Sequence, residues 1–148
     1  MSLVSFVRIR NKNFEDAIAE SLDLIDYRFP SNVRNIVIKP NLCYYLDYST
    51  GYTTDPKFVD SLVKMLRASI SKDVRISIVE SDASAMKCKC SFKMLGYEKM
   101  ARDSGVTLVN LSEDEHTKAS VVVNRRNFTF MLPSTIQKAD LFINVPKI

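Results

Sequence analysis

The chain has 148 residues, of which 46% are apolar, and 21 Lys and Arg against 17 Asp and Glu give a formal charge of +4. Length fits one domain, and a mean hydropathy of -0.07 with that apolar share excludes a disordered chain. Three scattered glycines (Gly51, Gly96, Gly105) exclude a GxGxxG turn or a GxxxxGK phosphate loop, and a single histidine excludes HExxH.

No apolar run approaches the ~18 residues of a membrane span. The start, Met1-Ser2-Leu3-Val4-Ser5, lacks the basic region and apolar core of a signal peptide, so the expected compartment is the cytoplasm with no membrane partner. Three cysteines, an odd number with two of them two positions apart, suit reduced thiols better than a disulfide framework. The small positive charge contains no basic block, which argues against nucleic acid as a partner.

In chain order, strand-length apolar runs alternate with helix-period segments: Val4 to Ile9, Phe14 to Arg28, Asn35 to Lys39, Pro56 to Ile70, Val74 to Val79, Phe92 to Ser104 and Val106 to Leu111. Phe14, Ile18, Leu22 and Ile25 share one face of the first helix, with Asn13 as N-cap. Val59, Leu62, Val63, Leu66 and Ile70 do the same in the second, which Asp55-Pro56 should open with a cap acceptor and a first-turn proline. Gly96 interrupts the third, so two short helices are possible there, and Gly105 suits a left-handed C-cap. Ser120 to Val123 and Phe128 to Leu132, around Asn124-Arg125-Arg126-Asn127, read as a β-hairpin. A short helical turn in Pro133 to Lys138 then precedes a last strand at Leu141 to Val145. The expected fold is α/β: a mainly parallel sheet with crossover helices on its faces, plus a hairpin excursion near the C-terminus. Residues 1–148 read as one unit, expected to be the N-terminal portion of a longer polypeptide because the chain stops just past a buried-type strand.

Open parallel sheets bind ligands outside the carboxyl ends of their strands, and the strand exits here are polar. They are Lys39-Pro40-Asn41, Glu80-Ser81-Asp82 and Asn144-Val145-Pro146-Lys147. Lys39 and Lys147 would hold a small anion, Asn41 and Asn144 would orient it, and Glu80 would act as a general base if buried. The competing reading of the same residues is a Lys39 to Glu80 ion pair that ties neighbouring strands. Thr53, Thr54 and Asp55 precede a helix, where free N–H groups favour an anion, although capping alone accounts for Asp55. The connection from Pro40 to Asp55, about fifteen residues, is long for such a turn. It holds Tyr44, Tyr45, Tyr48 and Tyr52, which would form a lid, stack on a flat ligand, or pack the loop to its own domain.

Cys43, Cys88 and Cys90 are expected in loops on the same rim, where three thiolates would suit a soft metal or part of an iron–sulfur cluster, with a fourth ligand from Asp82, His116 or outside the chain. The lone Cys-Lys-Cys lacks the usual two-residue separation of such sites, and ordinary loop thiols are the commoner case. His116 sits in an acidic loop, expected solvated. Arg125-Arg126 at the hairpin tip would touch phosphate, with Lys87, Lys89 and Lys93 adding a weak basic edge, and the tyrosine loop together with Arg125-Arg126 would carry a non-catalytic interaction or nucleic-acid module.

The ordered set Ile38-Lys39-Pro40-Asn41, Gly51-Tyr52-Thr53-Thr54-Asp55-Pro56, Val79-Glu80, Gly96-Tyr97, Gly105-Val106 and Asp140 to Lys147 resembles domain-of-unknown-function family 362 from about Asn35 onward. The resemblance implies that Lys39, Asn41, Thr54, Asp55, Glu80, Asn144 and Lys147 are the family's rim positions. It also implies a redox-associated role, with a ferredoxin-like cluster segment or partner in some members. This sequence departs in two ways: relatives continue into a polar segment with lysine and histidine, and it has no ferredoxin-type cysteine run.

Overall fold

A computed structural model describes residues 2–147. Its elements are α1 (Phe14–Leu24), β1 (Asn35–Pro40), α2 (Pro56–Ser69), β2 (Arg75–Glu80), α3 (Cys88–Met94), α4 (Tyr97–Ser104), β3 (Thr107–Asn110), β4 (His116–Val123), β5 (Arg126–Pro133), α5 (Ser134–Gln137) and β6 (Leu141–Val145). Four strands form an all-parallel sheet in the order β3-β2-β1-β6, and β4 with β5 makes a separate antiparallel hairpin. The expected α/β class with a hairpin excursion is what the chain adopts.

The topology follows from handedness. Crossovers between parallel strands are right-handed, so β1-α2-β2 and β2-α3-α4-β3, which step in one direction across the sheet, carry their helices on the same face. The alternate residues Ile36, Ile38, Ile76 and Ile78 meet Ile18 of α1, Val59, Leu62, Val63 and Leu66 of α2, Phe92 of α3 and Tyr97 and Met100 of α4. Returning from β3 to β6, the chain reverses direction across the sheet, and α5 covers a smaller cluster of Val37, Val79 and Leu111 with Ile136 on the opposite face. Each fully buried aliphatic chain such as Ile38 or Leu66 contributes about 1.5–3 kcal/mol.

Local chemistry sets the boundaries. Asn13 accepts from the Asp16 N–H at 3.2 Å and Asp55 from the Lys57 N–H at 2.8 Å, so both expected N-caps form. Helix α1 stops at Leu24 rather than running to Arg28. Asp26 takes a left-handed φ of 50° and the Tyr27 N–H closes back on the Leu22 carbonyl at 2.9 Å, a Schellman-type end without glycine. Gly96, at φ 81°, separates α3 from α4, giving the two short helices that its position allowed. The hairpin turns on Asn124 and Arg125, both at positive φ (50° and 61°), as a two-residue turn of the type that matches strand twist.

The first expected strand does not form. Val4 to Ile9 is not a strand: Val4 and Phe6 are exposed, and the Ser5 hydroxyl donates to the Ser21 carbonyl of α1 at 2.8 Å. Alternating hydrophobicity makes a strand only where a ladder partner exists, and none of the described strands pairs with this segment.

Candidate functional site at the carboxyl rim of the sheet

Strand β1 delivers Lys39 to the rim and β2 delivers Glu80. The Lys39 ammonium contacts both oxygens of Glu80 at 2.8 Å and also reaches the Pro40 carbonyl at 3.3 Å. The Glu80 side chain is 8% exposed and that of Lys39 31%. Glu80 also accepts the Ser81 N–H at 2.9 Å and, at a longer 3.4 Å, the Leu42 N–H. The ion pair that ties neighbouring strands is therefore present, and the carboxylate expected to move a proton is occupied on both oxygens.

Register places Lys39 opposite Asn144 and Pro40 opposite Val145 on β6. Paired residues of neighbouring parallel strands share a face, so the Lys39 and Asn144 side chains emerge side by side. This junction of β1 and β6 is also where strand order reverses, the position at which open parallel sheets form a ligand crevice. Asn144 is exposed, as is Lys147 two residues beyond β6, and neither makes a side-chain hydrogen bond or ion pair among the described residues.

The threonines act differently from an open anion cradle. Thr53 and Thr54 are buried, at 1% and 4% exposure. The Thr54 hydroxyl accepts from the Asn41 N–H at 2.9 Å and donates to the Val145 carbonyl at 2.9 Å. Its N–H donates to the Asn41 carbonyl, and its own carbonyl accepts from the buried Tyr97 hydroxyl, both at 2.9 Å. All the polar atoms of Thr54 are thus spent on internal bonds that fasten the loop after β1 to itself, to the end of β6 and to α4. Burial pushes the Tyr97 phenol far above its ordinary range, with Asp55 and Glu80 adding to it, so its proton stays in that bond. Asn41 donates its amide to the Tyr52 carbonyl at 2.6 Å, while the Thr53 hydroxyl lies 3.5 Å from the Cys43 N–H.

Sequence reasoning missed the organising role of Asp82 beyond β2. Its carboxylate accepts from the Lys87 ammonium at 2.8 Å, from the Cys88 N–H at 2.9 Å and from the Asn110 amide at 3.2 Å, and its N–H donates to Ser112 at 2.9 Å. Lys87 and the Cys88 N–H hold the Asp82 carboxyl below the usual carboxylate range. Tyr45 joins this group through its hydroxyl, which accepts from the Lys87 N–H at 2.7 Å, so one loop tyrosine packs the loop to its own domain. Tyr44 and Tyr52 remain exposed. The signal available in sequence was an aspartate five residues before a lysine at a helix start.

Of the three cysteines expected in rim loops, Cys43 lies in the loop after β1, but the other two do not lie in a loop. Cys88 and Cys90 belong to α3 rather than to a loop, and residues two apart on a helix point to different sides. Cys88 is buried, Cys90 exposed and Cys43 partly exposed. Burial, followed by the negative charges of Glu80, Asp82 and Glu113, pushes the Cys88 thiol up to about 12, which disfavours a thiolate. Among the described residues, no three His, Cys, Asp or Glu side chains gather as a metal-ligating set. His116 is exposed as expected, but it opens β4 rather than lying in a loop. A concavity of about 670 Å³ lies at the other end of the strands, lined by Asn32, Arg34, Asp73 and Arg75, away from the rim.

A family model described as "Domain of unknown function (DUF362)" matches residues 36–148, most of the chain. The chain belongs to the DUF362 family. No curated protein and no solved structure matches it. The DUF362 match begins at the first residue of β1 that enters the main core, so it takes in all of the sheet but Asn35 and leaves out α1. No helix among the described residues is long and apolar enough to cross a membrane.

Proposed function

We propose that this DUF362 domain binds a small anionic molecule at the β1–β6 rim, as part of a redox-associated enzyme. The observation that carries the reading is the pairing of Lys39 with Asn144 at the reversal of strand order, beside Lys147. In this reading Glu80 does not abstract a proton in the unliganded state. It positions Lys39, whose exposed flank, together with the Asn144 amide and the Lys147 ammonium, meets the ligand. Asn41, Thr53, Thr54 and Asp55 shape the rim from behind, holding the loop, the α2 start and β6 together. An arriving anion would compete with Glu80 for Lys39, and that exchange is how Glu80 would gain the freedom to take a proton.

The reading is tested by thermal unfolding of the natural polypeptide in a panel of inorganic phosphate, pyrophosphate and small dicarboxylates. A ligand at about one hundred times its Kd stabilises the folded state by about 2.7 kcal/mol. The shift should be lost in Asn144→Ala and Lys147→Ala, which disturb no internal bond among the described residues. Equal shifts in wild type and both variants, or none in any anion, would remove the site.

A further inference from the structure

We propose that the β4–β5 hairpin is a self-association surface, on which a second copy of this chain docks its own hairpin antiparallel, tip against base. The inference is independent of the rim. Cross-strand register pairs Ala119 with Phe130, Val121 with Phe128 and Thr117 with Leu132, so these residues share one face of the ribbon. Val121, Val123, Phe128 and Phe130 on that face are 45%, 49%, 50% and 46% exposed; Val122 and Met131 on the opposite face are exposed too, at 69% and 58%, but polar Lys118, Ser120, Asn127 and Thr129 interrupt them there and no aromatic ring joins them. A two-stranded ribbon is marginal by itself, and an aromatic face left half in water is a large exposed apolar surface for a domain of this size.

Charge selects the occupant. The turn carries Arg125 and Arg126, both exposed, while Glu115 stands exposed at the base just before β4, with Glu113 beside it, exposed and partly balanced by Lys87. Eight-residue strands separate the two ends by roughly 25 Å, well beyond a Debye length of about 8 Å, so the opposite charges do not neutralise one another within a copy. Asp114, also at the base, is engaged by the Thr135 N–H at 2.8 Å, and Lys118 lies on the other face of the ribbon. A twofold antiparallel arrangement brings each basic tip over the acidic base of the other copy while the apolar faces meet between them. It is isologous, as closed dimers require, and each Arg–Glu contact occurs twice. A membrane or nucleic acid would answer the tip but not the base.

The test is sedimentation of the natural polypeptide over a concentration series up to about 200 µM. The expected result is a concentration-dependent dimer, weakened severalfold between about 0.05 and 0.5 M salt. Phe128→Ser with Phe130→Ser, at exposed positions, should give a folded monomer by circular dichroism. Arg125→Glu with Arg126→Glu should weaken association about tenfold or more, and adding Glu113→Arg with Glu115→Arg in the same chain should restore it. A wild-type monomer throughout, a dimer that survives the serine variant, or charge reversals that do not rescue one another would each overturn the proposal. So would lipid-vesicle binding by the hairpin without self-association.

Discussion

Replacing Thr54 by valine keeps the shape of the side chain and removes only its hydroxyl, so the cost of the change measures the fastening of the rim. The hydroxyl makes two bonds of 2.9 Å, one from the Asn41 N–H and one to the Val145 carbonyl, in a side chain 4% exposed. Each lost bond is worth about 1 kcal/mol, and each stranded backbone partner adds to that where water cannot reach it. The expected destabilisation is about 2–3 kcal/mol, read as a lower urea midpoint with an unchanged slope. Thr54→Ser, which keeps both bonds and loses a methyl group, should cost about 1 kcal/mol. Amide hydrogen exchange should quicken first at Asn41 and at the end of β6 in the valine variant. A valine variant within about 1 kcal/mol of wild type, or no less stable than the serine variant, would show that Thr54 does not hold the rim together.

Two further outcomes follow from the same geometry. Cys88, buried and with its thiol pushed up to about 12, should resist alkylation at neutral pH in the folded protein, whereas exposed Cys90 reacts; peptide mass mapping after brief iodoacetamide treatment reads the difference, and equal labelling refutes it. The Asp140 carboxyl is held below its ordinary range, first by the Arg34 N–H and then by the Asn35 N–H, so the unfolded chain takes up that proton at higher pH than the folded one. Its stabilisation is complete above about pH 4 and disappears as pH falls through the lowered native value, so Asp140→Asn should flatten the acid limb of stability; parallel limbs for variant and wild type refute this.

What could be read from sequence was whatever local pattern and local chemistry determine. The apolar stripe of α2, its Asp55-Pro56 opening, the strand runs of β1, β2 and β6 and the polar hairpin turn each carry their own signal within a few residues, and each formed. Val4 to Ile9 carried an equally good strand pattern and did not become one, because pairing is decided by partners that alternation does not encode. The Lys39–Glu80 contact was legible as one of two readings; which of them held depended on strand adjacency, since β1 and β2 must pair before the two side chains can meet. Thr54 shows the limit most clearly. A threonine before a helix suggests a free hydroxyl at a dipole, and only the register that sets Val145 beside Pro40 turns that hydroxyl inward. The cysteines misled for a related reason, because the start of α3 is capped by Asp82 from six residues upstream rather than by a neighbour with a recognisable signature.

The place of β6 beside β1 also dictates an order of assembly. Strands β1 and β2 are joined by a single helix and meet early, so Lys39 finds Glu80 as soon as that short unit condenses. The last strand must close a loop of more than a hundred residues, as the 105-residue separation of Asn35 and Asp140 shows, and non-local closure of that kind is slow. Until it arrives, the β1 flank presents a bare ladder of N–H and C=O groups, the type of edge that recruits other chains. During synthesis this protein is therefore most exposed to aggregation in the interval between completion of β2 and emergence of Leu141 to Val145.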